Sequence, residues 1–355
     1  MNRLEPLDWL RGLLAISIML YHLAGWEFNH PNAGDILGRL GIYGVSMFFV
    51  LSGLSMAIGY DRYIQNVQTA QIFLIRRVFR IWPLLWVAVA AVTLGSLILK
   101  KETSVDLMIV LLNITTLFGF ISPGAYINTG AWSIGNEMVY YVLTPVILTL
   151  YNRSRWIGNV FVLISFAVAV KFCFSILDSE KTLASQWSIY INPFNNLAFY
   201  CVGVAMYYNL NEVTPTRSVQ LLLMIISISL FLIWPADGDL VSIVTGMNRI
   251  VFFITVTLMV WSFYKLTFQI HPMVSKSLAS IGAATYGIYL LHPIIYSGVK
   301  IIFAKNESEI GGAWIIVMAT VSITIILSIL SFKYYERPFI NWAKKITPVK
   351  IQNAK

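Results

Sequence analysis

The sequence predicts an all-α polytopic membrane protein of about ten transmembrane helices. Hydrophobic residues make up 58% of the 355 residues, and charged residues only 12%. A soluble domain of this size carries about twice that share of charge. Runs such as 87–99 and 221–234 are apolar on every face, which suits a helix surrounded by lipid. We therefore expect the whole chain to be organised around membrane-spanning helices.

Ten apolar segments are long enough to be candidate spans: 7–27, 40–60, 80–99, 132–150, 156–176, 193–208, 218–234, 243–264, 278–299 and 313–334. An eleventh apolar segment, 105–121, is the ambiguous one. If it does not span, most basic clusters fall on the side of both termini, as the positive-inside rule requires. We therefore predict that 105–121 is re-entrant or interfacial, with both termini cytoplasmic. Some lysines stay on the opposite face: Lys100, Lys101, Lys300 and Lys305.

The formal charge of +9 is scattered between apolar segments, which argues against nucleic-acid binding. The two cysteines, Cys173 and Cys201, lie in apolar segments without metal-binding or redox spacing, so we expect them to be core or lipid-facing fillers. The amino terminus does not resemble a cleaved signal peptide. We predict one membrane domain over 1–346 and a short polar tail over 347–355.

Helix 1 places three ionisable side chains, Asp8, Arg11 and His22, in or beside its apolar run. Such groups cost about 3 kcal/mol near the bilayer centre unless they are paired or face a cavity. Arg11 and His22 lie within roughly 20° of one helix face, about 16 Å apart along the axis, and Asp8 within roughly 40°. Two interpretations stay open: a stripe of functional groups, or an interfacial Asp8–Arg11 pair with a hydrogen-bonded helix histidine.

An arginine-rich run, 76–80, precedes the apolar part of helix 3. Arg77 and Arg80 are three residues apart and share a helix face. A positive-inside anchor explains these charges, and so does a forked-donor site for phosphate on the cytoplasmic side. Composition alone does not decide between the two.

Three more polar positions interrupt apolar segments. Ser52 lies in a stretch of small residues on helix 2, which favours close helix packing. Glu137 lies near the start of its helix, where a carboxylate can act as a cap, and Glu336 closes the last helix beside Arg337. The other histidines are assigned no catalytic role: His30, His271 and His292.

Several short motifs follow one another along the chain. They are Leu7-Asp8-Trp9-Leu10-Arg11-Gly12 with His22 after ten intervening residues, Phe48-Phe49-Val50-Leu51-Ser52-Gly53, Arg77-Val78-Phe79-Arg80, Trp132-Ser133 through Glu137, Tyr289-Leu290-Leu291-His292-Pro293 and Tyr335-Glu336-Arg337-Pro338. Together they resemble, in order, the motifs of the membrane-bound acyltransferase-3 family. The first resembles its Arg-x10-His signature, the second its FFxLSG motif and the third its RxxR motif.

The resemblance implies a ten-helix core that moves an acyl group, usually acetyl from cytoplasmic acetyl-CoA, onto a sugar hydroxyl of a surface polysaccharide. The acceptors expected first are sugars of O-antigen, capsule or exopolysaccharide, and a lipid-linked saccharide is ranked after them. Succinyl is an alternative acyl group. The resemblance implies a stand-alone member without a fused periplasmic domain, in the bacterial inner membrane. The expected partners are a coenzyme A thioester, the saccharide acceptor and membrane lipid, without a metal.

The resemblance also implies residue roles. His22 is the catalytic histidine and Arg11 its partner on helix 1. Arg77 and Arg80 hold the donor, together with Ser52. The further site residues are Asp8, Glu137 and Glu336.

The chemistry of these residues is consistent with acyl transfer. A thioester is already activated, so transfer to an alcohol needs a base that works near neutral pH, which histidine supplies. His22 is predicted to take the proton of the sugar hydroxyl, or to carry the acyl group itself. Glu137 is predicted to orient the imidazole, and Arg11 to stabilise developing negative charge.

A different class of function fits the same intramembrane charges. In a secondary transporter or flippase of a glycan or lipid intermediate, they would form an ion-coupling path. The sequence does not display two matching halves with interrupted helices, which argues against this alternative. A receptor-like or structural role is disfavoured by the number of charges inside the spans.

Overall fold

The computed structural model describes residues 4–99, 104–267, 270–303 and 310–348, and within these ranges the chain is helical without a strand. The helices are α1 (Glu5–Glu27), α2 (Ile36–Tyr60), α3 (Val67–Ile98), α4 (Leu107–Ile114), α5 (Phe118–Ile121), α6 (Trp132–Arg153), α7 (Arg155–Lys171), α8 (Trp187–Tyr190), α9 (Pro193–Leu210), α10 (Arg217–Ile233), α11 (Val241–Val244), α12 (Gly246–Tyr264), α13 (Pro272–Ala283), α14 (Thr285–Phe303), α15 (Ile310–Ser331) and α16 (Arg337–Ile346). π-Helical turns follow α7 at Phe172–Ile176 and α15 at Phe332–Glu336. The predicted all-α class is confirmed.

Seven helical stretches of the described chain have the length and apolarity needed to cross a membrane. They are α1, α2, α3, α7 with its π-turn, α12, α14, and α15 continued by its π-turn and α16. Three more long helices, α6, α9 and α10, pack among them with 22, 18 and 17 residues. These helices correspond to the ten predicted spans, so the polytopic architecture agrees with the prediction.

The ambiguous segment 105–121 forms two short helices, α4 of eight residues and α5 of four. A membrane span needs about 20 residues, so neither helix crosses a bilayer by itself. The side chain of Asp106 caps α4 by accepting a hydrogen bond from the Met108 amide at 2.8 Å. This break-up of the segment is consistent with a re-entrant or interfacial position.

The predicted boundaries need correction near residue 284, because the single span expected over 278–299 is two helices, α13 and α14. α13 crosses α1 so closely that a Cβ at Gly282 would lie 2.1 Å from the carbonyl oxygen of Asp8. Periodicity cannot show such a crossing, because both segments are apolar on either side of the break. Residues 349–355 of the predicted tail, and Lys100, Lys101 and Lys305, lie outside the described residues.

Helices α2 and α9 meet through a reciprocal pair of glycines. A Cβ at Gly53 would lie 2.0 Å from the carbonyl oxygen of Tyr200, and one at Gly203 would lie 2.1 Å from that of Val50. Only residues without a side chain allow two backbones to approach this closely. The predicted small-residue packing of helix 2 is therefore confirmed. Both cysteines are buried in the core, as free thiols.

The antiparallel packing of α1 and α2 defines two sides of the bundle. Arg11 of α1 bonds to Ser55 near the end of α2, while Tyr21 of α1 lies against Gly41 near the start of α2. The side on which α1 begins and α2 ends is called the first side below. The opposite side, on which α1 ends, is called the second side.

Candidate active site

The first side carries an ion pair on α1. The guanidinium of Arg11 donates to Asp8 Oδ1 at 2.8 Å, and it also bonds to the hydroxyl of Ser55 on α2. Asp8 is only 2% exposed. The Asp8–Arg11 pair expected from the sequence is present, and through Ser55 it ties α1 to α2.

A second set of contacts joins α2, α3 and α6. Ser52 Oγ donates to Glu137 Oε1 at 2.8 Å, and the hydroxyl of Tyr141 donates to the same oxygen. Arg77 donates to the hydroxyl of Tyr60 at 2.7 Å and lies over the rings of Tyr60 and Tyr141. The carboxylate of Glu137 therefore accepts hydrogen bonds from two side-chain hydroxyl groups instead of capping its helix. The guanidinium of Arg77 packs against aromatic rings.

The last segment of the chain completes this cluster. Arg80 interacts electrostatically with Glu336, with Arg77 and with Arg11. Glu336 is 2% exposed, and Ser331 Oγ approaches its Oε1 at 3.4 Å. The sequence suggested Arg337 as the partner of Glu336, but the carboxylate is buried, and the positive charge that acts on it is that of Arg80. We call the following residues the arginine cluster: Asp8, Arg11, Ser52, Ser55, Arg77, Arg80, Glu137, Tyr141 and Glu336.

The neighbouring Arg76 has a different task. Its Nε donates to Thr347 Oγ1 at 3.0 Å, and its guanidinium also donates to the Thr347 carbonyl oxygen at 2.7 Å. The same guanidinium lies over the ring of Tyr63. Arg76 thus anchors the chain after α16 and is directed away from the arginine cluster.

The second side holds His22 among aromatic rings. The ring of His22 lies 5.3 Å from that of Trp26 and 5.3 Å from that of His292, measured between centroids. Trp26 also stacks on Tyr296 at 4.6 Å. His292 was predicted to be structural, yet it lies directly beside the predicted catalytic imidazole. We call these four side chains the histidine pocket: His22, Trp26, His292 and Tyr296.

A cavity of about 190 Å³ opens beside His22. Water occupies about 30 Å³ per molecule in the liquid, so the space holds several waters or one small polar group. Its wall carries His22, Trp26 and His30 together with aromatic residues of α1, α6, α8, α14 and the connecting segments: Tyr21, Tyr126, Trp132, Trp187, Tyr190 and Tyr289. A ring-lined hollow with hydroxyl and imidazole groups is suited to a ligand with both polar and apolar faces.

The predicted site residues therefore divide between two places. Ser52, which bonds to Glu137, lies seven residues along α2 from Val45 of the cavity wall, or about 10 Å by helical rise. Glu137 is bonded to Ser52 and Tyr141, whereas the ring neighbours of His22 are Tyr21, Trp26 and His292. The predicted orientation of His22 by Glu137 finds no contact of this kind among the described interactions, and the catalytic roles stay predictions.

Sequence reasoning missed two buried arginines. Arg39 donates to carbonyl oxygens at the end of α10, including those of Phe231 at 2.8 Å and Trp234 at 2.7 Å, and so caps that helix. Arg249 is 2% exposed, donates to Asn196 at 3.0 Å and lies 5.9 Å from the ring centroid of Tyr190 behind the cavity wall. Both residues lie in segments without a motif, so only their position inside apolar helices signalled a role.

The described ranges contain His, Cys, Asp and Glu side chains, which are common metal ligands in proteins. No group of three or more His, Cys, Asp or Glu side chains among them is arranged to hold a metal ion.

Comparison with known proteins gives consistent matches. The family model described as "Acyltransferase domain" matches residues 5–332. A Staphylococcus aureus (strain COL) protein provisionally named an O-acetyltransferase is 25% identical over 100% of this chain and 61% of its own length. The peptidoglycan O-acetyltransferase OatA of Listeria monocytogenes is 25% identical over 95% of this chain and 57% of its own length.

A shorter match is to nodulation protein 10 of Rhizobium leguminosarum bv. viciae, 25% identical over 44% of this chain and 48% of that protein. The chain thus spans 61% or less of the length of these three curated relatives. No solved structure matches it.

Proposed function

This chain belongs to the acyltransferase domain family that its residues 5–332 match, and on that premise we propose that it is a membrane O-acetyltransferase. It moves an acetyl group from cytoplasmic acetyl-CoA to a hydroxyl of a sugar in a surface polysaccharide. The acceptors that we favour are O-antigen, capsule and exopolysaccharide sugars. Because one relative is named a peptidoglycan O-acetyltransferase, glycan strands of the cell wall join that set.

The observation that carries this proposal is the position of His22 at the wall of the ring-lined cavity. Aromatic rings offer flat apolar faces for the C–H face of a sugar, while hydroxyl and imidazole groups can bond to its hydroxyl groups. An acceptor hydroxyl in this cavity lies within reach of His22, whose neutral imidazole can accept its proton as a general base.

Transfer then proceeds by general-base catalysis in this proposal. His22 takes the proton of the acceptor hydroxyl while the oxygen attacks the acetyl carbonyl carbon. The C–O bond forms, the C–S bond of the thioester breaks, and the departing thiolate takes up the proton. An acetyl group carried on His22 between two half-reactions is the alternative route.

The arginine cluster is the proposed donor site. Arg77 and Arg80 present guanidinium groups on one face of α3, and forked donors of this kind bind phosphate oxygens well. Phosphate groups of coenzyme A held there would place the pantetheine arm along the roughly 10 Å between the cluster and the cavity. Glu137 and Glu336 limit the excess of positive charge and keep the arginines in place, while Arg11 and Ser52 border the same site.

The membrane placement belongs to the same proposal. Because coenzyme A is cytoplasmic, the first side faces the cytoplasm of a bacterial inner membrane, with both termini on that side. The second side, with His22 and the acceptor cavity, then faces the surface glycan. Lipid surrounds the bundle and serves as its solvent.

Labelled acetyl-CoA tests the proposal directly. The purified chain, reconstituted in lipid vesicles, is incubated with donor and with glycan extracted from the host surface. Base-labile label on the glycan is the expected product. His22→Ala lowers transfer about 10²- to 10⁴-fold, because a base contributes that much to such a step. His271→Asn, at the exposed start of α13, is the matched histidine control.

The opposing result is equally clear. If the reconstituted chain moves a glycan or lipid intermediate across the vesicle membrane without any acyl transfer, it is a transporter and the proposed activity is wrong.

A further inference from the structure

Two imidazole rings, the half-buried His22 and the buried His292, lie side by side on the second side of the bundle. His292 of α14 is 1% exposed, and its ring centroid lies 5.3 Å from that of His22 on α1, with 29° between the ring planes. Trp26 packs against both rings, at 5.3 Å from His22 and 5.9 Å from His292. The pair is therefore enclosed by aromatic surface and held by two helices.

The hydrogen bond of His292 determines which nitrogen carries its proton. Nδ1 lies 3.0 Å from the carbonyl oxygen of Ile288, one turn earlier on α14. A carbonyl oxygen only accepts, so Nδ1 donates, and Nε2 of the neutral ring presents a lone pair. That Nε2 is buried and has no hydrogen-bond partner among the described residues. Burying an acceptor without a partner costs free energy, which calls for an explanation at this position.

The distance between the two rings offers an explanation for the unpartnered Nε2 of His292. Two imidazole rings joined edge to edge by an N–H···N bond of about 2.9 Å have centroids roughly 5 Å apart. The observed separation of 5.3 Å matches that arrangement better than face-to-face contact. A hydrogen bond from a His22 N–H to Nε2 of His292 is therefore compatible with the observed separation of the two rings.

We infer that His292 is a positioning residue for His22, and that its Nε2 accepts a hydrogen bond from His22 during acyl transfer. This inference rests on the proposed function. When His22 takes the proton of the acceptor hydroxyl, both of its ring nitrogens become donors. One N–H faces the acceptor oxygen, and the other is received by His292. The pair holds the imidazolium in one orientation until its proton passes to the departing thiolate.

Two amide variants separate this role from a merely structural one. The amide of His292→Asn reaches the position of Nδ1 and preserves the bond to Ile288, but it removes the group at Nε2. The longer His292→Gln places an amide oxygen near the position of Nε2. If the lone pair at Nε2 is needed, His292→Gln should recover the transfer activity that His292→Asn loses. If only the hydrogen bond to Ile288 is needed, His292→Asn should keep that activity.

The experiment measures acetyl transfer from labelled acetyl-CoA to host glycan extract by the full chain in lipid vesicles. We expect His292→Asn to lower kcat about tenfold with the KM for acetyl-CoA unchanged, and His292→Gln to recover most of that loss. A His292→Asn chain as active as the wild type overturns the inference, and so do two equally impaired variants that melt at the wild-type temperature.

A third variant covers the case in which neither amide variant folds. His292→Gly leaves a hollow that free imidazole can enter, and recovery of kcat by added imidazole supports the role, whereas no recovery overturns it. The proposed acyltransferase function and the proposed role of His292 are contradicted by different results. A wild-type chain without transfer contradicts the acyltransferase, whereas an inactive His22→Ala beside a fully active His292→Asn contradicts only the role of His292.

Discussion

The arginine cluster and the histidine pocket lie in one bundle, with Arg11 and His22 about 16 Å apart along α1, yet they consist of different kinds of side chain. In the cluster, guanidinium and carboxylate groups are bonded to one another and to hydroxyl groups, as in Ser52–Glu137 and Arg11–Asp8. In the pocket, neutral rings surround the imidazoles, and Trp26 lies between His22 and Tyr296.

This difference indicates a division of labour. Paired charges are tolerated inside a membrane when each has a partner, and they bind a charged ligand by exchanging one partner for another. An imidazole among neutral rings is uncharged, so one of its ring nitrogens is free to accept a proton from a bound alcohol. The first region is suited to hold an anion, and the second is suited to move a proton.

The largest expected effect separates chemistry from donor binding. His22→Ala should lower acetyl transfer about 10²- to 10⁴-fold while the affinity for coenzyme A, measured by calorimetry in detergent, stays at the wild-type value. A parallel loss of coenzyme A binding would mean that the two regions form one site.

The second-largest expected effect concerns the binding of coenzyme A by the arginine cluster. Arg77→Ala should weaken coenzyme A binding about 10- to 100-fold, because a charge-assisted hydrogen bond to phosphate contributes about 1.5–3 kcal/mol. Arg76→Ala is the matched control, since its guanidinium is directed to Thr347. Equal losses in both variants would point to a non-specific effect of positive charge.

A smaller effect is expected on stability. Gly53→Ala should destabilise the chain by about 1–3 kcal/mol, because the added methyl group overlaps the carbonyl oxygen of Tyr200. Thermal unfolding in detergent measures it. Gly59→Ala, whose Cβ would meet nothing within 4 Å, is the control on the same helix. A stable Gly53→Ala chain would show that the α2–α9 crossing adjusts freely.

The smallest effect concerns the link between α2 and α6. Ser52→Ala removes one donor to Glu137 but leaves the Tyr141 hydroxyl in place. The loss of one hydrogen bond of this kind costs about 1 kcal/mol, so coenzyme A affinity should fall only a few-fold in the same calorimetric measurement. A loss as large as that of Arg77→Ala would give Ser52 a direct part in donor binding.

Helical periodicity and charge placement were enough for the class of fold and for the Asp8–Arg11 pair. Both depend on neighbours three or four residues apart, which a sequence displays directly. The same local information placed Arg77 and Arg80 on one face. It also identified 105–121 as unlike the other spans, since counting it as a span would divide the basic clusters between the two sides of the membrane.

Contacts between segments that are distant in sequence could not be predicted from this local information. His292 meets His22 across 270 positions of sequence, and nothing local to either residue indicates the other. Glu137 looked like a cap from its place in α6, but its partners are a serine on α2 and a tyrosine one turn further along. The break between α13 and α14 arises where Gly282 meets the backbone of α1, a crossing that periodicity does not encode.

The position of Glu336 late in the sequence also determines the order in which the arginine cluster is assembled. Tyr335 bonds to the carbonyl oxygen of Pro83 across 252 residues of chain, and the buried carboxylate of Glu336 beside it interacts electrostatically with Arg80. At about 5–20 residues per second, a ribosome needs roughly 10–50 s to make that stretch. During this interval Arg80 enters the membrane without Glu336, and water or lipid headgroups must solvate it. The arginine cluster is therefore complete only after Glu336 has been synthesised.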